Sequence, residues 1–245
     1  MVEVFEVHDG VYVLTKHLKE NKISVASFLI LDELPVIIET GTPYVAKEFL
    51  RKLEEIIPLE KISYIFVTHE HLDHIGGLPE YISEAYDARI VVHHFFKAQL
   101  GFTGIARKTV FVSGNETIPI GDRKIKVIYA PIETTGTTIF MLQPDRILFS
   151  GDYFGQLSEE KWTLYPEVSS DQLVQMIKEF HQGLGYSRED VKKFLSPIEK
   201  MKPKIIAPSH GSLIKDDVKQ VFKKVIEAKL KPEQKGSLWR RIFGR

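Results

Sequence analysis

The stretch "THEHLDHIGG", residues 68–77, sets His69, His71, Asp73 and His74 within six residues, directly after "ISYIFV" at 62–67. The apolar run reads as a buried strand, so the four side chains emerge at a strand end, where a loop can fold them around an ion. Imidazole and carboxylate groups are nitrogen and oxygen donors, and four of them at this spacing predict a metal-binding loop rather than four independently satisfied core residues. Gly76 and Gly77 let the backbone turn closely behind them.

Short strand-like runs precede the motif: "VEVFEV", "VYVLT", "ISVASFLIL" and "PVIIET", parted by turn signals such as Asp9-Gly10 and Asp32-Glu33. They predict a β-meander. From Tyr44 to Ile57 the apolar positions recur at helical spacing, and Pro58 closes the run. Further strands are expected at "RIVVH", "TVFVS", "KIKVIYA", "TTIFML", "RILFS" and "KIIAPS", with a short helix over Leu78–Tyr86. A longer helical stretch runs from Ser170 to Met201 with a break at Gly183–Gly185, and a last helix covers Lys215 to Leu230. Two sets of strands, each punctuated by helices, predict two sheets packed face to face with helices outside.

Composition narrows the chemistry. The 245 residues are 43% hydrophobic, enough for one sizeable core, and Lys plus Arg balance Asp plus Glu at 33 each. A formal net charge of zero gives no global field for nucleic acid or an anionic membrane. There are no cysteines, which excludes disulfides, thiol catalysis, Cys-ligated zinc and iron–sulfur clusters. The start, "MVEVFEVHDG", lacks the basic and apolar regions of a signal peptide, and no apolar run is long enough to span a membrane, so the expected compartment is the cytoplasm. No dinucleotide fingerprint, Walker loop or Gly-x-Ser-x-Gly elbow is present. The end, "KPEQKGSLWRRIFGR" at 231–245, is a basic tail carrying Trp239, Ile242 and Phe243; it reads as a packed terminus or as a docking segment.

The order His-x-His-x-Asp-His, met here as His69, His71, Asp73 and His74, resembles the first motif of the metallo-β-lactamase superfamily. Later segments fit the same order: "KIKVIYAPIETTGT" as the third region, "ILFSGDYFG" with Asp152 as the fourth, and "KIIAPSHGS" with His210 as the last. The resemblance implies an α+β fold, the αββα sandwich of two mixed sheets, over residues 1–230, with a site along one edge of both sheets. Hydrolases of the superfamily read Pro-Gly-His-Thr-Pro-Gly where this chain reads Pro131-Ile132-Glu133-Thr134-Thr135-Gly136. Within the superfamily the chain looks most like the diiron domain of flavodiiron proteins. That family normally has Glu at the second position of the first motif and His in the third; here the two are exchanged, as His71 and Glu133.

If the superfamily's roles carry over, one metal receives His69, His71 and Glu133, a second receives Asp73, His74 and His210, and Asp152 bridges them. Each metal then has two imidazoles and one terminal carboxylate, a set suited to ferrous iron with open positions. Three carboxylates, rather than two, also favour a more oxidised and more positive pair. Glu133 as a surface carboxylate beside a mononuclear site stays open. The resemblance therefore implies two iron ions and dioxygen as ligand, in the manner of free-standing oxygen-binding diiron proteins. Flavodiiron proteins draw electrons from an FMN domain that follows the diiron domain; the chain stops at Arg245, so no FMN is expected and electrons would come from an external donor, or the signal would pass to a receiver protein. A homodimer stays open. The alternative is a dinuclear zinc hydrolase acting on an ester, thioester or phosphodiester, with Asp73 positioning a metal-bound hydroxide. Tyr153, Phe154 and His94 are candidate pocket liners or packing residues.

Overall fold

The computed structural model describes residues 1–19, 22–97, 108–157 and 163–230. The basic tail expected at 231–245 lies outside the described residues.

The chain opens with the expected meander. Strands β1 (Glu3–His8), β2 (Val11–Leu18), β3 (Ile23–Ile30) and β4 (Val36–Ile38) pair antiparallel in sequence order. The turn between the first two runs through Gly10 at φ +64°, which glycine reaches without steric cost. Helix α1 (Pro43–Glu54) then crosses to β5 (Tyr64–Phe66), parallel to β4, and β6 (Arg89–His93) and β7 (Thr109–Val112) extend the sheet in parallel. Two short helices, α2 (Leu72–Ile75) and α3 (Leu78–Glu84), fill the connection from β5 to β6. The second sheet has β8 (Thr117–Pro119), β9 (Lys124–Tyr129), β10 (Thr138–Gln143) and β11 (Ile147–Gly151) in antiparallel succession. Helices α4 (Ser170–Leu184) and α5 (Arg188–Glu199) return the chain to β12 (Ile205–Pro208), parallel to β11, and α6 (Val218–Glu227) follows. Among the described residues both sheets are mixed, with seven and five strands.

Side-chain alternation along the strands makes the layers. Phe66, Val91, Phe28 and Ile38 of the first sheet meet Phe140, Leu142, Phe149 and Val127 of the second in one buried cluster between the sheets. Their chain neighbours point the other way: Ile65, Ile90 and Val92 pack under α1 and α3 with Phe49, Leu53 and Tyr81. On the far side, Ile139, Met141, Leu148 and Ile206 pack under α4 to α6 with Ile177, Phe180, Leu195 and Val221. The period of two thus serves a core on each face of each sheet, which yields the four-layer αββα sandwich. Each fully buried large apolar side chain contributes about 1.5–3 kcal/mol relative to exposure.

The expected helices differ from the observed ones at their ends, and the short elements α2 and β8 are additional to those expected. Helix α1 stops at Glu54, because Ile56 and Ile57 both donate back to Leu53 O in a closing turn. The last helix among the described residues is α6, Val218–Glu227, shorter than the expected Lys215–Leu230. Strand β8 carries no sequence signal: it is three residues at a sheet edge and ends at Pro119.

The two sheets are joined at one edge by backbone hydrogen bonds. Thr138 N donates to Thr68 O at 2.9 Å, and Ala26 N donates to Ser209 O at 3.0 Å. Ser209 N in turn donates to Gly151 O at 3.0 Å. These bonds bring the ends of β5, β11 and β12 together.

Candidate metal centre

The seven side chains singled out in the sequence, from four separate segments, converge at this edge as two groups of donor atoms. His69, His71, Glu133 and Asp152 form one group; Asp73, His74 and His210 form the other. In the first, His69 Nε2 lies 2.9 Å from His71 Nδ1, and His71 Nδ1 lies 3.3 Å from Glu133 Oε1. In the second, His210 Nε2 lies 2.9 Å and His74 Nε2 3.5 Å from Asp73 Oδ2. Asp152 spans both. Its Oδ2 faces His69 Nε2 at 3.9 Å, while its Oδ1 faces His74 Nε2 at 3.1 Å and His210 Nε2 at 3.4 Å.

Local structure fixes each contributor. Helix α2 is a single turn that lifts Asp73 and His74 away from the strand axis, and Thr40 pins it by donating both N and Oγ1 to His74 O at 2.8 Å. The Thr68 hydroxyl donates to Glu39 Oε1, so its oxygen accepts from His69 Nδ1 at 3.0 Å and leaves His69 Nε2 turned to the cluster as a lone pair. His210 Nδ1 donates to Ser24 O at 2.7 Å, which frees its Nε2 in the same way. His71 differs, facing the cluster through Nδ1.

Six of the seven side chains are almost wholly buried; His71, 28% exposed, marks the side open to solvent. Burial raises the energy of every charge here. Against that burial, His74 is held protonated by Asp73, Asp152 and Glu39, well above the ordinary imidazole value. His210 is raised likewise, burial being outweighed by Asp152 and Asp73. Asp152, pushed up by burial but pulled down more strongly by His74 and His210, stays far below the ordinary carboxylate range. His69 is driven well down, first by burial and then by the charge on His74.

A metal pair fits this arrangement. Apart from the ion-pair approaches given above, both oxygens of Asp73, both of Asp152 and both nitrogens of His74 are buried with no hydrogen-bond partner among the described residues. Buried polar atoms left so in number imply a ligand, because each otherwise forfeits its solvation. In the metal-free chain, protons on His74 and His210 stand in for positive charge that cations would supply.

The candidate liners fall elsewhere. Tyr153 is 1% exposed and donates its hydroxyl to Ala130 O, and Phe154 packs on Phe222 at 4.7 Å between ring centroids. His94 sits against His93 and Phe95 with Nδ1 3.4 Å from Val112 O, in neither donor group. Residues not singled out in the sequence also take part. Glu39, 1% exposed, places Oε1 3.4 Å from His74 Nδ1, and Tyr186 donates its hydroxyl to Glu133 Oε2. The glycine-flanked "GLGYS" at 183–187 is the one local hint of the latter, since it marks a helix stop that redirects the next side chain.

Residues 23–211 match a family model described as ODP family beta lactamase. Among curated proteins, the chain is 27% identical over 244 residues to an anaerobic nitric oxide reductase flavorubredoxin of Vibrio vulnificus, covering 91% of this chain and 46% of that protein. The namesake from Klebsiella pneumoniae is 26% identical over 220 residues, covering 82% and 43%. The chain spans about half the length of the curated relatives it matches. Of solved structures, the flavodiiron protein from Giardia intestinalis superposes with a TM-score of 0.79 at 24% identity, over 92% of this chain and 59% of that one. Rubredoxin oxygen:oxidoreductase from the anaerobe Desulfovibrio gigas superposes with a TM-score of 0.80 at 20% identity, over 92% and 61%. At these identities the structural likeness speaks for the fold.

Proposed function

This chain belongs to the family described as ODP family beta lactamase, and on that premise we propose that it is a dinuclear non-haem iron protein that binds dioxygen, sensing it or reducing it slowly with electrons from an external donor. The names of the relatives, a nitric oxide reductase and an oxygen oxidoreductase, support a small diatomic gas as ligand.

The observation that carries the reading is the place of Glu133. Its carboxylate, 5% exposed, turns inward to lie 3.3 Å from His71 Nδ1, in the first donor group. With Asp73 and Asp152 it makes three carboxylates against four imidazoles. Iron, when bound, supplies electrons to dioxygen, which zinc with no accessible higher oxidation state does not.

The residues divide the work. His69, His71 and Glu133 would hold one ion, Asp73, His74 and His210 the other, and Asp152 offers one oxygen to each. Glu39, Thr68 and Ser24 orient the imidazoles from behind, through His74, His69 and His210 in turn. Among the described residues the other six side chains are buried and His71 is 28% exposed, so a small ligand would enter on the side of His71. A cytoplasmic setting belongs to the same proposal.

The test is anaerobic loading with ferrous iron, metal quantification, and a visible spectrum as air is admitted. Two irons per chain and a new absorption on exposure to oxygen are expected. A chain that retains zinc, hydrolyses a model ester or phosphodiester and shows no spectral response to oxygen would instead establish the zinc hydrolase.

A further inference from the structure

The carboxylate of Glu133, like the imidazoles around it, needs a partner behind it if it is to be oriented as a ligand. A carboxylate has two equivalent oxygens and a freely turning terminal torsion, so it must be held if a chosen oxygen is to face a cation. We propose that Tyr186 is the positioning residue that makes Glu133 a ligand: its hydroxyl engages Oε2 and leaves Oε1 to the first donor group. The proposal rests on the reading of Glu133 as a metal ligand.

The phenol is itself fixed. Helix α4 ends at Gly185, in the left-handed region at φ +77°, with Gly185 N donating to Gln182 O at 3.0 Å and Tyr186 N to His181 O at 2.9 Å. This glycine stop reverses the chain and aims Tyr186 back at the loop after β9. Its ring packs edge-on against Tyr153, 5.9 Å between centroids at 66°, and lies 5.1 Å from the His181 ring. The hydroxyl is donated to Glu133 Oε2, and the residue is only 7% exposed. A phenol ionises ordinarily near pH 10, so the hydroxyl is a donor at neutral pH.

The loop it serves is tied on both shoulders. Tyr153 donates to Ala130 O and accepts from Ile132 N at 3.1 Å. Tyr129 donates to Thr135 O at 3.0 Å, and Thr134 Oγ1 donates to Glu70 Oε2 at 2.7 Å, joining the loop to the residue between His69 and His71. These ties fix the backbone. Tyr186 then sets the side chain at the apex, and the second oxygen of Glu133 is spent on it.

The experiment compares wild type, Y186F, E133A and the double variant as chelator-stripped full-length chains. Zinc and anaerobic ferrous binding are measured by equilibrium dialysis, with the visible absorption of bound cobalt(II) reporting coordination. Y186F keeps the ring and its packing, and binding at Asp73, His74 and His210 serves as the internal check on folding. The expected result is a loss of about 10- to 100-fold in affinity for the second equivalent of metal in Y186F, with an altered cobalt spectrum and the first equivalent unchanged. In the E133A background the Y186F change is expected to add less than about twofold, because no carboxylate remains to be held. A packing role would instead cost the same in both backgrounds and overturn the proposal. So would equal affinities in wild type, Y186F and E133A. A wild type that loads two zinc ions and ignores oxygen sinks the diiron reading alone, since the zinc comparison still decides the role of Tyr186.

Discussion

Glu39 stands behind His74: its Oε1 lies 3.4 Å from His74 Nδ1, while His74 Nε2, across the ring, faces Asp152 Oδ1 at 3.1 Å. The carboxylate therefore fixes which nitrogen meets the candidate centre, and it draws electron density toward that nitrogen. Glu39 holds this place at φ +66°, a conformation that L-residues rarely adopt, and the Thr68 hydroxyl anchors the same oxygen. An E39Q variant keeps the shape and removes the charge. It is expected to bind metal about 10- to 100-fold more weakly than wild type while circular dichroism stays unchanged, with calorimetric titration of zinc into the stripped chain as the measurement. Unaltered affinity would show that His74 needs no such support.

The legibility of the molecule follows from which signals are local. The first motif is legible because four side chains of metal-ligand type fall within six residues at the end of one strand, and a one-dimensional string can show that. The meander, the helix stop near Gly185 and the double layer are legible for the same reason, since turn residues and period-two alternation are properties of short windows. Glu133 could be placed only by the order of motifs around it, and Glu39, Ser24 and Tyr186 not at all. Each of these reaches its partner across 35 to 186 residues, as Glu39 with His74, Tyr186 with Glu133 and Ser24 with His210. Their own neighbourhoods say little: Glu39 reads as the end of a strand, and Tyr186 is hinted at only as the aromatic that follows the helix stop at Gly185. Strand β8 escaped because an edge strand of three residues needs no buried alternation.

Gly185 links the helix stop to the candidate centre. At φ +77° an alanine is strained, so G185A is expected to destabilise the fold by about 1 kcal/mol in urea unfolding. The strain falls on the residue that aims Tyr186. Affinity for the second equivalent of zinc should therefore fall along with stability, whereas an αL-tolerant G185N variant should recover part of both. A G185A chain with unchanged stability would contradict the left-handed stop.

His181 is a buried imidazole whose Nε2 lies 2.7 Å from Tyr153 O, and burial lowers it from 6.5 to about 4, with the carbonyl bond only partly opposing. The unfolded chain thus takes up this proton at a higher pH than the folded one. Stability is expected in full above pH 6.5 and is lost as the pH falls from there toward 4; the contribution at pH 5 is about 2 kcal/mol smaller than at pH 7. H181Q retains an N–H donor for Tyr153 O and removes the titration. Urea unfolding of the metal-free chains at pH 7 and pH 5 gives the comparison: the wild type should lose about 2 kcal/mol more than H181Q over that interval. Parallel losses in the two chains would mean that His181 is protonated in the folded state, and that the acid sensitivity of this edge of the sandwich comes from other groups.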